Sequence, residues 1–181
     1  GKSVIIGDAK KIKSEALFKA FGEALNRLNG RYLSAEDVNI TTSDIAITNS
    51  VTPYVTGTEN KSGNPAPFTA LGTFLGIKAS VKHKLNRDDL TGLKVAVQGL
   101  GSVGYQLCEH LYQAGVELTI TDINQTTLQS AAAKFNAIAV GLDEIYDQDV
   151  DVYAPCALGA TINDETLSRL KVSIIAGCAN N

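Results

Sequence analysis

Three glycines lie within six residues of one another, between a β-branched run and a helical pattern. They are Gly99, Gly101 and Gly104 in the stretch VAVQGLGSVGYQL at residues 95–107. In a strand–loop–helix unit, the first glycine of this spacing allows a tight turn and the second lets a pyrophosphate approach the backbone. The third lets the helix and the strand pack closely. The spacing therefore favours a dinucleotide-binding loop over a plain turn between a strand and a helix.

An acidic residue follows this loop at the end of the next apolar run. Asp122 closes the stretch LTITD, about 20 residues after the first glycine, where dinucleotide-binding units place a carboxylate. A carboxylate there accepts hydrogen bonds from the adenosine ribose and repels a 2′-phosphate, which predicts NAD rather than NADP. The alternative is that Asp122 only caps the following helix. We also assign Ser102 and Val103, in the first turn after the loop, to the phosphates.

A possible proton-transfer pair lies outside this unit, in the first forty residues. Lys2 stands beside a glycine at the head of an apolar run, and Glu36 and Asp37 follow the stretch RYLSA. A lysine in a desolvated cleft loses its proton more readily and can act as a base, and a nearby carboxylate can exchange protons with an amine. The alternative is that these residues are solvated surface charges, and spacing alone does not decide between the two.

The first half of the chain predicts separate helices joined by irregular segments. A helix is expected over 14–28, with Ser14 capping its first turn, after a strand-like run at 1–7. A short strand is expected in RYLSAEDV, a brief helix in TTSDIAIT and a long helix from Pro67 to about Leu85. Prolines and glycines concentrate at 52–67, so we predict two domains, 1–57 and 58–181.

The second half predicts an α/β fold with a doubly wound, Rossmann-type parallel sheet. Strand-like runs such as KVAVQG, ELTITDI, VDVYAP and VSIIAG alternate with helical patterns such as VGYQLCEHLYQAG and QTTLQSAAAKF. Strands that alternate with helices of ~10–15 residues indicate βαβ units, whose parallel strands are covered on both faces.

The composition of the chain argues against nucleic acid and membranes as binding partners. The chain has 181 residues and a formal net charge of −3, which gives no electrostatic reason to expect nucleic acid or an anionic membrane. No apolar run approaches the ~20 residues that cross a bilayer. Cys108, Cys156 and Cys178 match no zinc spacing, so we predict no metal and interpret them as free thiols of a reducing cytoplasm.

Seven segments, in order along the whole chain, resemble the leucine/phenylalanine/valine branch of the amino-acid dehydrogenase family. They are GKSVIIGDAKKIKSEALFKAFG, LNGRYLSAEDV, YVTG with SGNPAPFTALGTFLGIKA, VAVQGLGSVGYQLCEHL, LTITDIN, DVDVYAPCALGATIND and IIAGCANN. The resemblance implies reversible oxidative deamination, in which an L-amino acid, NAD and water give a 2-oxo acid, ammonia and NADH. Leucine is the expected substrate, with valine and phenylalanine as alternatives.

The resemblance also implies roles for individual residues. Lys2 matches the lysine that activates the attacking water, and Asp37 matches the aspartate that exchanges protons with the substrate nitrogen. Residues assigned to the cofactor by resemblance are Thr69, at the nicotinamide carboxamide, Cys156 and Ala157, under the nicotinamide ribose, and Asn180. Asn181 is assigned to the substrate. We interpret Cys156 as a small residue lining the cofactor rather than as a reactive thiol.

Two departures from the family pattern bear on these roles. Asn39 follows the AEDV motif where the family has glycine, so a different backbone behind Asp37 is expected. The family's carboxylate-binding lysine and the segment that completes its catalytic domain fall outside this sequence, so 1–57 is expected to be part of a catalytic domain. The alternative function is therefore a non-catalytic NAD-binding module. By resemblance the protein is expected to form a homo-oligomer.

Overall fold

Five β-branched runs in the second half of the chain form one parallel sheet. The computed structural model describes residues 2–58 and 64–179. The strands are β1 (Lys94–Gln98), β2 (Glu117–Thr121), β3 (Ile138–Ala139), β4 (Val152–Pro155) and β5 (Ile174–Ile175). Their order is β3-β2-β1-β4-β5, and each neighbouring pair is parallel. The central strand β1 therefore has β2 on one side and β4 on the other.

Alternating side chains of the central strands build a separate core on each face of the sheet. Val95 and Val97 join the larger core, which also includes buried residues of the helices α4 (Ala66–Leu85), α5 (Ser102–Gln113) and α6 (Gln125–Phe135). Ala96 and Tyr153 belong to a second core with Ile145 and Tyr146 of a short 3-10 helix at Glu144–Asp147. The predicted α/β fold with a doubly wound parallel sheet is confirmed.

Within residues 2–58 the chain forms three helices and has a small core of its own. They are α1 (Ala9–Ile12), α2 (Glu15–Arg27) and α3 (Thr42–Asn49). Ser14 Oγ accepts the Leu17 N–H at 3.2 Å, so the predicted cap of α2 is confirmed. Leu25, Ile45 and Val55 form the buried cluster of this part.

The two strands expected in the first half do not form. In RYLSAEDV the structure has one isolated parallel bridge, between Ser34 and Val55. Residues 2–7 form no strand, and the side chains of Val4 and Ile6 are 78% and 94% exposed. A strand needs a hydrogen-bonding neighbour, and apolar sequence alone does not supply one.

The chain divides into two compact units, one ending at Pro65 and one beginning at Ala66 with α4. The division lies in the proline- and glycine-rich segment, eight residues after the predicted boundary at 57 and 58. The assignment of the units to catalytic and NAD-binding domains remains a prediction. A further helix, α7 (Asp164–Leu167), completes the second unit. Within the described residues, no helix is long and apolar enough to cross a membrane.

Candidate functional site

The glycine loop leaves the carboxyl end of β1, the central strand of the sheet. The chain crosses from β1 to β2 on one side, whereas β4 joins the other side of β1. This is the point where the strand order reverses, and open α/β sheets bind ligands at the carboxyl ends of the strands there. The segment that follows β4 contains Cys156 and Ala157 and lies against the loop.

Two of the three loop glycines leave no room for a side chain. Gly99 has φ +95°, and a Cβ on it would lie 2.7 Å from the backbone nitrogen of Ala157. A Cβ on Gly104 would lie 1.9 Å from the carbonyl oxygen of Gly99. These close approaches hold the start of α5 against the strand end and the β4 segment. The first and third positions are therefore fixed by the packing of the protein itself.

Gly101 differs from the other two glycines, because a side chain at this position would point into open space. A Cβ there would meet no atom within 4 Å. Gly101 is the N-cap of α5, and its carbonyl accepts the Tyr105 N–H at 3.0 Å. The N–H groups of Ser102, Val103 and Gly104 precede this first helical hydrogen bond and face out of the helix N-terminus. An open, glycine-lined helix N-terminus suits the pyrophosphate of a dinucleotide.

Asp122, at the end of β2, is hydrogen-bonded to the glycine loop. One carboxylate oxygen accepts the Leu100 N–H at 2.6 Å, and the other accepts the Asn124 N–H at 2.7 Å. The following helix is capped by a different residue, since Asn124 Oδ1 accepts the N–H groups of Thr126 and Thr127. Asp122 therefore supports the loop backbone and leaves the capping of α6 to Asn124.

A buried polar network fixes the strands beneath the loop. Gln98, the last residue of β1, donates to the Tyr146 hydroxyl at 2.8 Å and accepts from the Tyr153 hydroxyl at 2.5 Å. Burial raises the pKa of Tyr153 above its ordinary range, so the hydroxyl stays neutral and can donate. The Gln98 carbonyl also accepts the Cys156 N–H at 2.7 Å, which ties β1 to the β4 end. This network was not predictable from local sequence, because Gln98 lies about fifty residues from both tyrosines.

Of the remaining residues predicted for the cofactor and the substrate, the structure brings only some to the glycine loop. Cys156 and Ala157 lie beside Gly99, so the structure brings these predicted positions together. Thr69 lies in the first turn of α4 with its side chain exposed. Asn180 and Asn181 lie outside the described residues. The roles of all of these residues remain predictions.

The predicted proton-transfer residues meet within the first unit. Lys2 Nζ forms an ion pair with Asp37 Oδ2, and the Val38 N–H donates to Asp37 Oδ1 at 2.8 Å. The hydrogen bond from Lys2, aided by that from Val38, holds the pKa of Asp37 below its ordinary value. The Lys2 and Asp37 side chains are 67% and 45% exposed. The pair is thus open to a ligand, and as an exposed pair it adds only ~0–1 kcal/mol to stability.

Asn39 adopts a positive φ in the turn behind this pair. Its φ is +61°, the left-handed conformation that glycine adopts freely and asparagine more readily than other residues. The Ile40 N–H closes the turn on the Asp37 carbonyl at 2.9 Å. The asparagine thus takes up a conformation that is also open to glycine, and the expected departure from the family's backbone stays a prediction.

A second lysine–carboxylate pair lies in the same unit and was not predicted. Lys13 Nζ contacts Asp44 Oδ2 at 2.5 Å, and the same carboxylate oxygen accepts the Thr41 N–H and hydroxyl, both at 2.8 Å. Desolvation raises the pKa of Asp44, but the hydrogen bonds from Lys13 and Thr41 outweigh it and leave the pKa below its ordinary value. The Asp44 backbone N–H donates in turn to Thr41 Oγ1 at 3.3 Å, and the two residues together complete the capping box of α3.

Comparison with known proteins supports one family for the whole chain. No family model matches it. Leucine dehydrogenase of Bacillus subtilis is 52% identical over 184 residues, which is 100% of this chain and 50% of that protein. Along its whole length the chain is similar to leucine dehydrogenases, which belong to the amino-acid dehydrogenase family. It spans about half the length of the curated relatives it matches.

Solved structures agree with this assignment at the level of the fold. The crystal structure of L-tryptophan dehydrogenase from Nostoc punctiforme is 44% identical, with a TM-score of 0.74 over 94% of this chain and 48% of that one. A hetero-hexameric glutamate dehydrogenase from Thermus thermophilus has a TM-score of 0.73 over 96% of this chain and 49% of that one. At 18% identity the second likeness shows the fold alone. Both likenesses agree with a Rossmann-type sheet.

Proposed function

We propose that this chain is the part of an NAD-dependent amino-acid dehydrogenase that carries the dinucleotide loop and the proton-transfer pair. The observation that carries the proposal is the ion pair between Lys2 and Asp37, in the same chain as the open glycine loop. A module that only binds a dinucleotide has no use for this pair. The 52% identity to a leucine dehydrogenase supports the same activity.

The proposed reaction converts an L-amino acid, NAD and water to a 2-oxo acid, ammonium and NADH, with release of a proton. The bound nicotinamide supplies the acceptor for the hydride that leaves Cα. Asp37, held as a carboxylate beside Lys2, is in the form that accepts a proton from the substrate nitrogen. Lys2 acts in its neutral amine form, after its ion-pair proton has left to solvent, and then takes a proton from the water that attacks the imine carbon of the substrate. Because both side chains are largely exposed, a substrate amine can reach them.

The chain's own residues fit the proposed cofactor. The first-turn N–H groups at Ser102, Val103 and Gly104 would face the pyrophosphate above Gly101, and Asp122 would take the adenosine ribose hydroxyls while repelling a 2′-phosphate. Gly99, Cys156 and Ala157 would form the floor under the nicotinamide ribose. Thr69 and Asn180 are proposed to contact the nicotinamide, and Asn181 the substrate. NAD is therefore the proposed cofactor.

L-leucine is the proposed substrate, with L-valine and L-phenylalanine as alternatives. A relative at 44% identity is named for tryptophan, so a side chain of another size is compatible with the same fold. One methylene in an apolar pocket changes binding by only ~1–3 kcal/mol, so activity on several aliphatic amino acids is expected. We also propose a homo-oligomer in the cytoplasm, in line with the free cysteines.

The test is NADH formation from NAD and L-leucine at alkaline pH, followed by absorbance. Lys2→Ala and Asp37→Asn should each lower the rate by a factor on the order of 10²–10⁴, the usual contribution of a proton-transfer group. Lys11→Ala is the matched control, because Lys11 is an exposed lysine that forms its ion pair with Asp8, the N-cap of α1. It should keep full activity. Equal activity in all three variants would contradict the proposed roles.

The alternative function is a dinucleotide-binding module without turnover, favoured by the open glycine loop and the Asp122 carboxylate beside it, which serve binding alone. The same assay separates the two functions when NADH binding is measured in parallel. Tight NADH binding without turnover of any of the three amino acids would support the module. Absence of both binding and turnover would contradict both proposals.

A further inference from the structure

Two cysteines follow the neighbouring strands β4 and β5: Cys156 comes directly after β4, and Cys178 lies three residues beyond β5. The ladder pairs Val152 with Ile174 and Tyr153 with Ile175. Its hydrogen bonds continue beyond the strands at steps of two residues. Ala176 N–H donates to the Tyr153 carbonyl at 3.0 Å, and Cys178 N–H donates to the Pro155 carbonyl at 2.9 Å. The continued register places Cys178 opposite Cys156.

Both thiols lie on the same face of the sheet. Val152, Ala154, Ile174 and Ala176 alternate into the large core, and Cys156 packs against the same core. Since side chains alternate along a strand, Cys178 shares this face with Cys156. Neighbouring strands are about 4.8 Å apart, within the Cα separation of ~4.4–6.8 Å that a disulfide spans. A bond between the two sulfurs therefore needs little movement of the backbone.

The two thiols also differ in chemistry, as a reactive pair requires. The neighbouring Cys156 thiol lowers the pKa of Cys178, whereas the Cys178 sulfur together with burial raises the pKa of Cys156. Both residues are half-buried, whereas the third cysteine, Cys108, is fully buried. Burial raises the pKa of Cys108 to about 12. The nucleophile of a thiol–disulfide exchange is the thiolate, so Cys178 is the one prepared to attack.

We propose that Cys156 and Cys178 form a redox-active dithiol, which closes to a disulfide beside the glycine loop when it meets a low-molecular-weight disulfide. The Cys178 thiolate attacks one sulfur of the oxidant, breaks its S–S bond and releases one thiolate. Cys156 then loses its proton and attacks Cys178 Sγ, which releases the second thiolate. Two protein thiols are oxidised by two electrons, and the oxidant becomes two small thiols.

The position of the pair links it to the dinucleotide site. A Cβ on Gly104 would lie 3.1 Å from the Cβ of Cys156, and the backbone after Cys156 lies against Gly99. A ligand on the loop therefore covers this end of the sheet. Bound NADH should shield the dithiol, and this step alone rests on the function proposed above.

The test is oxidation of the native protein by oxidised glutathione, with disulfides mapped by mass spectrometry. The expected product has Cys156 joined to Cys178 within one chain, a free Cys108, and full recovery on reduction. In Cys156→Ser, Cys178 should stop at the mixed disulfide with glutathione. In Cys178→Ser, Cys156 should stay unmodified. Three free thiols after prolonged oxidation, or a disulfide that includes Cys108, would overturn the proposal.

Oxidation in the presence of NADH separates this proposal from the proposed function. In the presence of NADH, the rate of disulfide formation should fall to the fraction of protein that is free of NADH. At ten times the Kd this makes the reaction about tenfold slower. A protein that forms the disulfide but does not bind NADH in its reduced state would retain the dithiol and contradict the proposed function. A protein that binds NADH and forms no disulfide would contradict the dithiol and leave the proposed function standing.

Discussion

Gly101 and Gly104 belong to one loop but have different reasons to lack a side chain. The position of a Cβ on Gly104 is already occupied by the Gly99 carbonyl, whereas a Cβ on Gly101 would point into open space. The fold therefore requires glycine at 104. At 101 the fold would accept alanine, so the requirement there comes from a ligand that needs the space.

This contrast predicts that Gly101→Ala affects binding and leaves folding intact. The added methyl group occupies the space proposed for the pyrophosphate, so NADH affinity should fall by at least tenfold, or about 1.4 kcal/mol. Because alanine is a poorer N-cap than glycine, the free energy of unfolding should fall as well, but only by about 0.5–1 kcal/mol. Titration of NADH fluorescence and urea unfolding measure the two quantities.

Gly76→Ala is the matched control, since Gly76 lies within α4 and its Cβ would also meet nothing within 4 Å. It should stabilise the protein by roughly 0.5–1 kcal/mol and keep NADH affinity. Gly104→Ala should instead destabilise the fold by ~1–3 kcal/mol or more, because the overlap is with backbone. Unchanged NADH affinity in Gly101→Ala would contradict the placement of the pyrophosphate.

Asp122 predicts the choice between NAD and NADP. Asp122→Ser removes the carboxylate that would repel a 2′-phosphate, so the ratio of NADPH to NADH dissociation constants should fall. Because the carboxylate also accepts the Leu100 N–H, part of the NADH affinity should be lost as well. Asp122→Asn removes the charge and keeps an oxygen acceptor, and thus separates the two effects. An unchanged ratio in both variants would contradict the ribose role.

Helix α3 depends on one largely buried charge, the carboxylate of Asp44. Its capping box joins Thr41 and Asp44, and Lys13 pairs with the same carboxylate, whose side chain is only 12% exposed. Because the folded-state pKa of Asp44 is lowered, its contribution to stability is present above its unfolded pKa of ~3.9 and is lost as pH falls through the folded value.

Asp44→Asn should therefore lower the free energy of unfolding by about 1–2 kcal/mol at neutral pH, the usual value of a helix cap. The gap between the variant and the parent protein should narrow as the pH falls below ~4. Urea unfolding at several pH values, followed by circular dichroism, measures this. Asp88→Asn serves as the control, since that carboxylate is 84% exposed, and it should change stability little at any pH. A gap that is independent of pH would contradict the role of the charge.

Sequence alone predicted the elements with strong local patterns. Helix α6 was predicted over its whole length at 125–135, and the runs that became β1, β2 and β4 were placed correctly, because the apolar periodicity and the turn residues agree there. The helices α1 and α7 were missed, since four residues are too few to show a helical period.

The contacts between segments that are distant along the chain could not be predicted from the sequence. The run at 2–7 has the apolar content of a strand and finds no neighbour among the described residues. The links from Asp122 to Leu100 and from Gln98 to Tyr153 depend on which strands lie side by side. In the candidate site, the glycine loop followed from local spacing. The Lys2–Asp37 contact instead joins residues thirty-five positions apart.

At the scale of the whole molecule, the two compact units have cores of unequal size. The first is organised around Leu25, Ile45 and Val55, whereas the second has a core on each face of its sheet. Amides of β1 and β2 should therefore exchange with solvent more slowly than those of α3, because local opening needs less energy where fewer apolar groups are buried.

Binding of NADH should widen the difference in hydrogen-exchange protection between the two units. At a hundred times its Kd, a ligand of the folded state adds about 2.7 kcal/mol of stability. Hydrogen exchange should show this added protection in the unit that begins at Ala66, where the glycine loop lies. Exchange in α2 and α3 is expected to stay the same. Equal added protection in both units, or protection confined to the first, would contradict the placement of the dinucleotide.

The strand order also has a consequence for biosynthesis. β1 can pair with β2 once residue 121 has left the ribosome, but its other edge has no partner until β4 is made at 152–155. In that interval the nascent chain presents an open, valine-rich strand edge, the kind of surface to which other chains add by strand pairing. Translation that slows between residues 121 and 152 would prolong this exposure and favour aggregation. Chaperone binding to the nascent chain is therefore most useful in that interval, before the second side of the sheet closes.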